Sequence, residues 1–230
     1  MKRNSFTTMA LVSLLTVAAV CSCDKDEDNK SVSGAIQDNV IEINLENGGS
    51  YSGKVDTVKL TIYFAELNRD VAFVSIPYGN GSFTMNLPTS VNAQYLHDNE
   101  YSDEELEKLT IINPTAKTGR MFLTVYKSGD EVGALYYGAE DWLNAKDWSK
   151  GIYLMYVDGD ASIAGSYTGG DPEKGTTVVE YSYDVHLKKG WNMVYEEKKI
   201  KDEAKKLYET KVSTQIPAEA KWYLDMYDDK

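Results

Sequence analysis

Thiols, imidazoles and prolines are scarce in this chain: 2 Cys, 2 His and 5 Pro among 230 residues. Both cysteines, Cys21 and Cys23, stand near the N-terminus. Residues 24–230 hold no cysteine, so they can form neither a disulfide nor a thiolate metal site. His97 and His186 lack the closely spaced His or Cys partners that a zinc site draws on. No Gly-x-Ser-x-Gly elbow, phosphate loop or dinucleotide glycine pattern occurs. Positive charge is also in deficit, with 24 basic against 36 acidic residues and a formal charge of −12. That balance argues against nucleic acid, whose phosphates need clustered Lys and Arg, and against electrostatic docking on anionic lipid. From these absences the sequence predicts no cofactor, no metal ion and no catalytic residue.

Long apolar runs are missing too. Met9 to Val20 is the longest, broken only by Ser13 and Thr16, and a membrane-spanning helix takes ~20 apolar residues. Lys2 and Arg3 precede this run, and Val20-Cys21-Ser22-Cys23 follows it. Basic flank, short apolar stretch and small residue before a cysteine are the parts of a secretory signal. Together they resemble a bacterial lipoprotein signal peptide, in which cleavage before the cysteine is followed by its acylation. Cys23 fits better than Cys21, because Ser22 is small and Val20 is not. The acids Asp24, Asp26, Glu27 and Asp28 resemble the export signal of Bacteroidetes surface lipoproteins. The resemblance implies a protein lipid-anchored in the outer membrane and facing the exterior. The alternative is a charged, solvated tether in the periplasm. The expected organisation is a signal over residues 1–22, an acidic tether over 23–32 and a β region over 33–230, with a subdomain boundary near 150 left open.

What the chain has in quantity is tyrosine, 17 against 5 Phe and 4 Trp. Tyr with abundant Thr and Val favours strands. Alternation is clear at Val58, Leu60, Ile62 and Phe64, and further strands are expected at 40–45, 71–76, 82–87, 109–112, 121–126, 132–137, 152–157, 161–167, 176–187, 191–196, 211–215 and 221–226. Asn80-Gly81 between two such runs predicts a hairpin turn. Ser102-Asp103-Glu104-Glu105 is a capping box opening a short helix. Ala139 to Trp148 predicts a second helix, while Glu197 to Thr210 fits either a helix or a long hairpin. Short strands separated by Gly and Asp turns predict an all-β antiparallel sandwich, or alternatively a lipocalin-like barrel, with one to three short helices.

Two further likenesses concern architecture alone. Val32-Ser33-Gly34-Ala35-Ile36, Val58-Lys59-Leu60-Thr61-Ile62-Tyr63 and Asn80 to Pro88 resemble the transthyretin-like, carboxypeptidase regulatory-like sandwich of Bacteroidetes surface proteins, over 32–88. Leu187-Lys188-Lys189-Gly190-Trp191-Asn192 is similar to a hairpin found in lipoproteins of that group. Neither implies an activity.

The candidate site is aromatic. Trp142, Trp148 and Tyr153 flank a polar, acidic segment. Exposed rings beside carboxylates and amides suit a sugar, since ring faces stack on its C–H groups while polar neighbours take its hydroxyls. The competing expectation is that Trp142 and Trp148 cover the edge of a core, as large aromatics commonly do. Trp191 and Trp222, set in strand patterns, are expected inside. The acids and amides of Asp98 to Glu105 could ligate calcium only if about six to eight oxygens converged; a solvated helix start is the simpler account. The functional expectation is a surface module that binds a glycan or another extracellular ligand. A structural or adhesive subunit with a surface-protein partner is the alternative, and a hydrolase built on His97 or His186 a second one. Partners are thus the membrane, through the lipid, and a glycan or surface protein, without nucleic acid.

Overall fold

The computed structural model describes residues 35–64, 69–138, 148–170 and 176–227, with backbone alone for Tyr63, Phe64, Arg69, Trp148 and Ser149. Fourteen strands run through them: β1 Ile36–Gln37, β2 Val40–Asn44, β3 Thr57–Phe64, β4 Arg69–Pro77, β5 Ser82–Asn86, β6 Leu109–Ile112 and β7 Thr118–Lys127. β8 Asp130–Gly138, β9 Trp148–Val157, β10 Ala161–Gly169, β11 Val178–Leu187, β12 Gly190–Asp202, β13 Leu207–Ser213 and β14 Lys221–Met226 complete the set. The described α-helix is α1, Asp103–Lys108. The fold is all-β, and its sheets are open rather than closed into a barrel.

The small sheet has the order β1-β2-β5, and the large one runs β4-β3-β7-β8-β9-β12-β13-β11-β10-β6, with β14 on the far side of β8. Neighbours are antiparallel except β11 and β13, which are parallel. The small sheet lies over one part of the large one. Ile41, Ile43 and Met85 share a core with Val58, Leu60, Met121, Leu123, Val125, Leu154, Trp222 and Leu224. A second core forms on Val157, Val185, Leu187 and Val194, with Tyr153, Met155, Ile163, Tyr183 and Val212 against it. The alternation in β9 explains why both are needed. Ile152, Leu154 and Tyr156 enter the first core, whereas Tyr153, Met155 and Val157 face the second. A strand apolar on both faces must be covered on both.

Two forks shape the large sheet. β7 pairs with β8 from Leu123 to Lys127, but its first residues, Thr118 to Met121, pair with β9 instead. β8 touches β9 through Tyr137 and Ile152, so β9 enters between strands that diverge. Likewise β13 enters between β11 and β12. The sequence likeness at Leu187–Asn192 therefore marks a turn but not a paired hairpin. Asn192 closes that turn, its Oδ1 accepting from Lys188 N–H at 2.9 Å, while the strands beyond it separate.

Asn80-Gly81 is a correction of the same kind. β4 pairs with β3 and β5 with β2, so the turn is a crossover between sheets and not a hairpin. Asn80 and Gly81 have φ of 60° and 91°, which Asn and Gly tolerate best. A Cβ on Gly81 would lie 2.6 Å from Gly48 Cα, so the tight crossing also requires glycine. The ambiguous stretch Glu197 to Thr210 resolves as the β12–β13 hairpin. The capping box forms as expected, with Ser102 and Glu105 satisfying each other's backbone N–H. The helix expected over Ala139 to Trp148 lies outside the described residues, apart from Trp148, which opens β9.

The described residues belong to one compact unit, and residue 150 falls inside β9. No helix among them is long and apolar enough to cross a membrane.

Candidate ligand-binding face

The strands place one row of tyrosines by simple alternation. In β11, Val179, Tyr181, Tyr183 and Val185 point to one side, while Glu180, Ser182, Asp184 and His186 point to the other. Tyr181 lies opposite Tyr167, and Tyr183 opposite Gly165, on β10. The glycine leaves room, and three rings gather there. Tyr167 and Tyr181 stack at 4.8 Å between centroids with 15° between planes. Tyr183 lies nearly parallel to both, at 6.4 and 6.3 Å. Offset stacking of this kind adds to what burial alone supplies. All three remain half-buried.

Neighbouring elements complete the face. Tyr167 Oη donates to Glu105 Oε1 at 2.8 Å. Glu105 also receives the Ser102 N–H and hydroxyl, each at 2.8 Å. Partial burial opposes ionisation of Glu105, but these hydrogen bonds outweigh it and hold the carboxyl below its ordinary range. Burial pushes the Tyr167 hydroxyl up, and its bond to Glu105 pushes it further. Tyr183 and Tyr101 are raised mainly by burial as well. On β12, Glu196 pairs with Lys198 at 2.9 Å. On β9, Tyr153 carries the Arg120 guanidinium 3.8 Å above its ring centre. Burial raises the Tyr153 hydroxyl to about 12, against the opposing pull of Arg120.

Three adjoining cavities cross this side of the sheet. The first, about 290 Å³, sits in the fork of β7, β8 and β9 and is lined by Arg120, Tyr153 and Glu196 among others. The second, about 220 Å³, shares Tyr153 and Glu196 and adds Asn99, Tyr101, Met155 and Tyr183. The third, about 360 Å³, shares Tyr183, Val212 and Glu196 and adds Tyr181, Lys198 and Tyr208. Glu196 lines all three. Apolar ring surface interrupted by a carboxylate, a lysine, an amide and several phenols provides stacking and hydrogen bonding together.

Of the residues expected from sequence, Tyr153 lies within this groove. Trp142 and Cys23 fall outside the described residues, and Trp148 contributes only described backbone at the start of β9. Trp191 and Trp222 are buried as expected. Sequence reasoning missed Tyr167, Tyr181, Tyr183, Glu196 and Arg120. The signal for the tyrosines was present: apolar and polar residues alternate without a break from Val179 to Leu187.

The other candidates form no such arrangement. His186 Nε2 lies 3.2 Å from Asp184 Oδ1, both exposed, and Thr214 Oγ1 accepts from the His186 backbone N–H. A nucleophile must meet its base directly; Asp184 is the described partner of that imidazole. His97 is exposed and bridges Thr118 through backbone bonds. Among the described residues, no three His, Cys, Asp or Glu side chains converge on a metal-sized point. Lys221–Met226 pairs with β8 along its length. Its other edge is occupied by Asn47, whose side chain donates to Leu224 O and accepts from Leu224 N–H, both at 2.8 Å. An amide used in this way blocks an edge from further pairing.

Compared with known proteins, the chain matches no family model, no curated protein and no solved structure.

Proposed function

We propose that this chain is a non-enzymatic binding module, acylated at Cys23 and held at the outer surface of the outer membrane, that takes a glycan across the tyrosine face of its large sheet. The observation that carries the reading is the run of three cavities that all meet Glu196, the first two joined at Tyr153 and the last two at Tyr183. Sugar rings would stack on half-buried phenol faces, and Glu196, Lys198 and Asn99 would take hydroxyls. Binding of this type needs no bond-making group, in keeping with the exposed, separate histidines.

The full chain, purified in detergent, is to be applied to a glycan array alongside Tyr153→Ala, Tyr183→Ala, Trp142→Ala and Trp148→Ala. Binding lost in the first two variants supports the groove. Loss in the tryptophan variants extends the site toward 139–148. Absence of binding to every glycan would remove the reading in favour of a surface-protein partner. The anchor is tested separately. Cys23→Ala should abolish incorporation of labelled fatty acid and release the protein from membranes, and protease added to whole cells should degrade the wild-type chain.

A further inference from the structure

The fork cavity differs from its neighbours in holding an exposed cation, Arg120, that takes part in no described hydrogen bond or ion pair. Its walls are apolar where Met121, Leu123, Leu135 and Leu154 come through from the main core. Trp222 also lines it. That side chain is 3% exposed, it stacks on Tyr137 at 4.7 Å, and its indole N–H is buried with no acceptor among the described residues. That nitrogen is closed to solvent, so it belongs to the core wall and offers a ligand no hydrogen bond.

Arg120 is the donor that a ligand can reach. Its guanidinium lies 3.8 Å from the centre of the Tyr153 ring and 5.6 Å from that of Phe122. It takes part in no described hydrogen bond or ion pair. Aromatic contacts fix its plane and leave the N–H groups along its edge available. By contrast, the other charged residues of the lining are engaged: Lys150 with Glu197 at 3.2 Å and Glu196 with Lys198 at 2.9 Å. The cavity therefore carries one uncompensated positive charge in a chain whose net charge is −12.

The fork itself explains why such a cavity exists inside a sheet. Between Met121, paired with Leu154, and Leu123, paired with Leu135, residue Phe122 has no partner on that side of β7. The ladder opens there, and side chains of both sheet faces reach the same space. Its volume, about 290 Å³, lies at the lower limit for small-molecule sites, which span ~300–1,000 Å³.

We infer that the fork cavity is the subsite for a single carboxylate-bearing sugar, so that the ligand is an acidic glycan with a uronate placed against Arg120. This rests on the glycan reading above and sharpens it. One carboxylate neutralises one guanidinium and accepts from it in the bidentate geometry that favours arginine. The Tyr153 ring, shared with the second cavity, leads the rest of the chain onto the tyrosine face.

The test compares an oligogalacturonide with its carboxyl-reduced, neutral counterpart by calorimetry, using the full chain in non-ionic detergent. The acidic sugar is expected to bind about tenfold more tightly or better, a preference that weakens with salt. Arg120→Gln, at an exposed position, should bring the acidic sugar's affinity down to that of the neutral sugar measured on the same variant. Equal binding of both sugars, unaffected by Arg120→Gln, overturns the subsite and leaves the glycan reading standing. Binding of neither sugar also overturns it, and the Tyr183-dependent array result then decides the broader reading independently.

Discussion

The two ends of the large sheet use the same alternation to bury opposite faces. At the β3–β7 end, Val58, Leu60, Leu123 and Val125 turn toward the small sheet and are almost wholly inaccessible. The outer side there is polar and charged, with Lys59 lying 3.6 Å over the Tyr126 ring. At the β11–β10 end, the side continuous with that small-sheet face carries Glu180, Ser182, Asp184 and His186. The apolar residues there point the other way, toward α1 and the segment before it. β9 and β12 stand between the two regimes and are apolar on both faces. The lesson is that coverage, not pattern, separates a core from a binding face. One end has a second sheet on its apolar side. The other has a six-residue helix, and its tyrosines stay half-exposed.

That contrast predicts unequal costs for equal deletions. Leu60→Ala, at a residue with no exposure, should lower stability by about 2–5 kcal/mol in urea unfolding. Val58→Ala and Val212→Ala remove the same atoms from the two ends. The first should cost roughly 2 kcal/mol and the second less than half of that, because a partly exposed valine gives up less buried surface. Equal costs for the valine pair would mean that the tyrosine face is as well covered as the main core.

Gly81→Ala sharpens the comparison from the covered end. Its φ of 91° and the 2.6 Å approach to Gly48 Cα mean that backbone must move to admit a methyl group. The expected loss is about 1–3 kcal/mol, read from thermal melts, with the tyrosine face unchanged in ligand binding. A neutral Gly81→Ala would show that the small sheet can shift over the large one at no cost.

Much of this was legible in the residues. The unbroken apolar run Ile152-Tyr153-Leu154-Met155-Tyr156-Val157 already states that β9 is covered twice, and the alternation in β11 states which side is wet. Ser102 and Glu105 announced their helix by spacing alone. What could not be read was which strands meet. Asn80-Gly81 has hairpin chemistry, yet its flanking strands find partners elsewhere, and the same φ > 0 residues serve a crossover against Gly48. The approach of β13 between β11 and β12 depends on register set far along the chain. Without that approach, and without the pairing of Tyr181 with Tyr167, the ring cluster has no expression in sequence. The fork cavity joins Arg120, Tyr153 and Trp222 for the same reason: three strands converge where one ladder stops.

Alkali should titrate the tyrosine face late. The Tyr153 hydroxyl is raised to about 12, chiefly by burial, against ~10 in an unfolded chain. A raised value means that the folded form favours the neutral phenol. Its contribution is whole below about pH 10 and is lost as pH climbs toward 12. Tyrosinate absorbance should accordingly show several late-titrating groups, Tyr227 among them, and one fewer in Tyr153→Phe. Titration of all tyrosines together near pH 10 in the folded protein would contradict the burial assigned to that ring.

The smallest effect is expected at the helix that covers the second end. Ser102→Ala removes the hydroxyl that caps α1 and donates to Glu105, and N-cap losses run to ~1 kcal/mol. The helix is exposed and short, so global stability should fall by no more than that. The acid side is more telling. Glu105 is held below its ordinary range, so its contribution is present at neutral pH and is lost as pH falls through the folded value. Without the Ser102 hydroxyl, that value rises toward the ordinary ~4.3, so the acid-side loss is smaller and is complete at higher pH. A carboxyl-carbon NMR titration of Glu105 in the two proteins measures the shift directly. An unchanged midpoint would mean that the backbone N–H and Tyr167 alone hold the carboxylate, and that the tyrosine cluster, rather than the capping box, fastens α1 to the sheet.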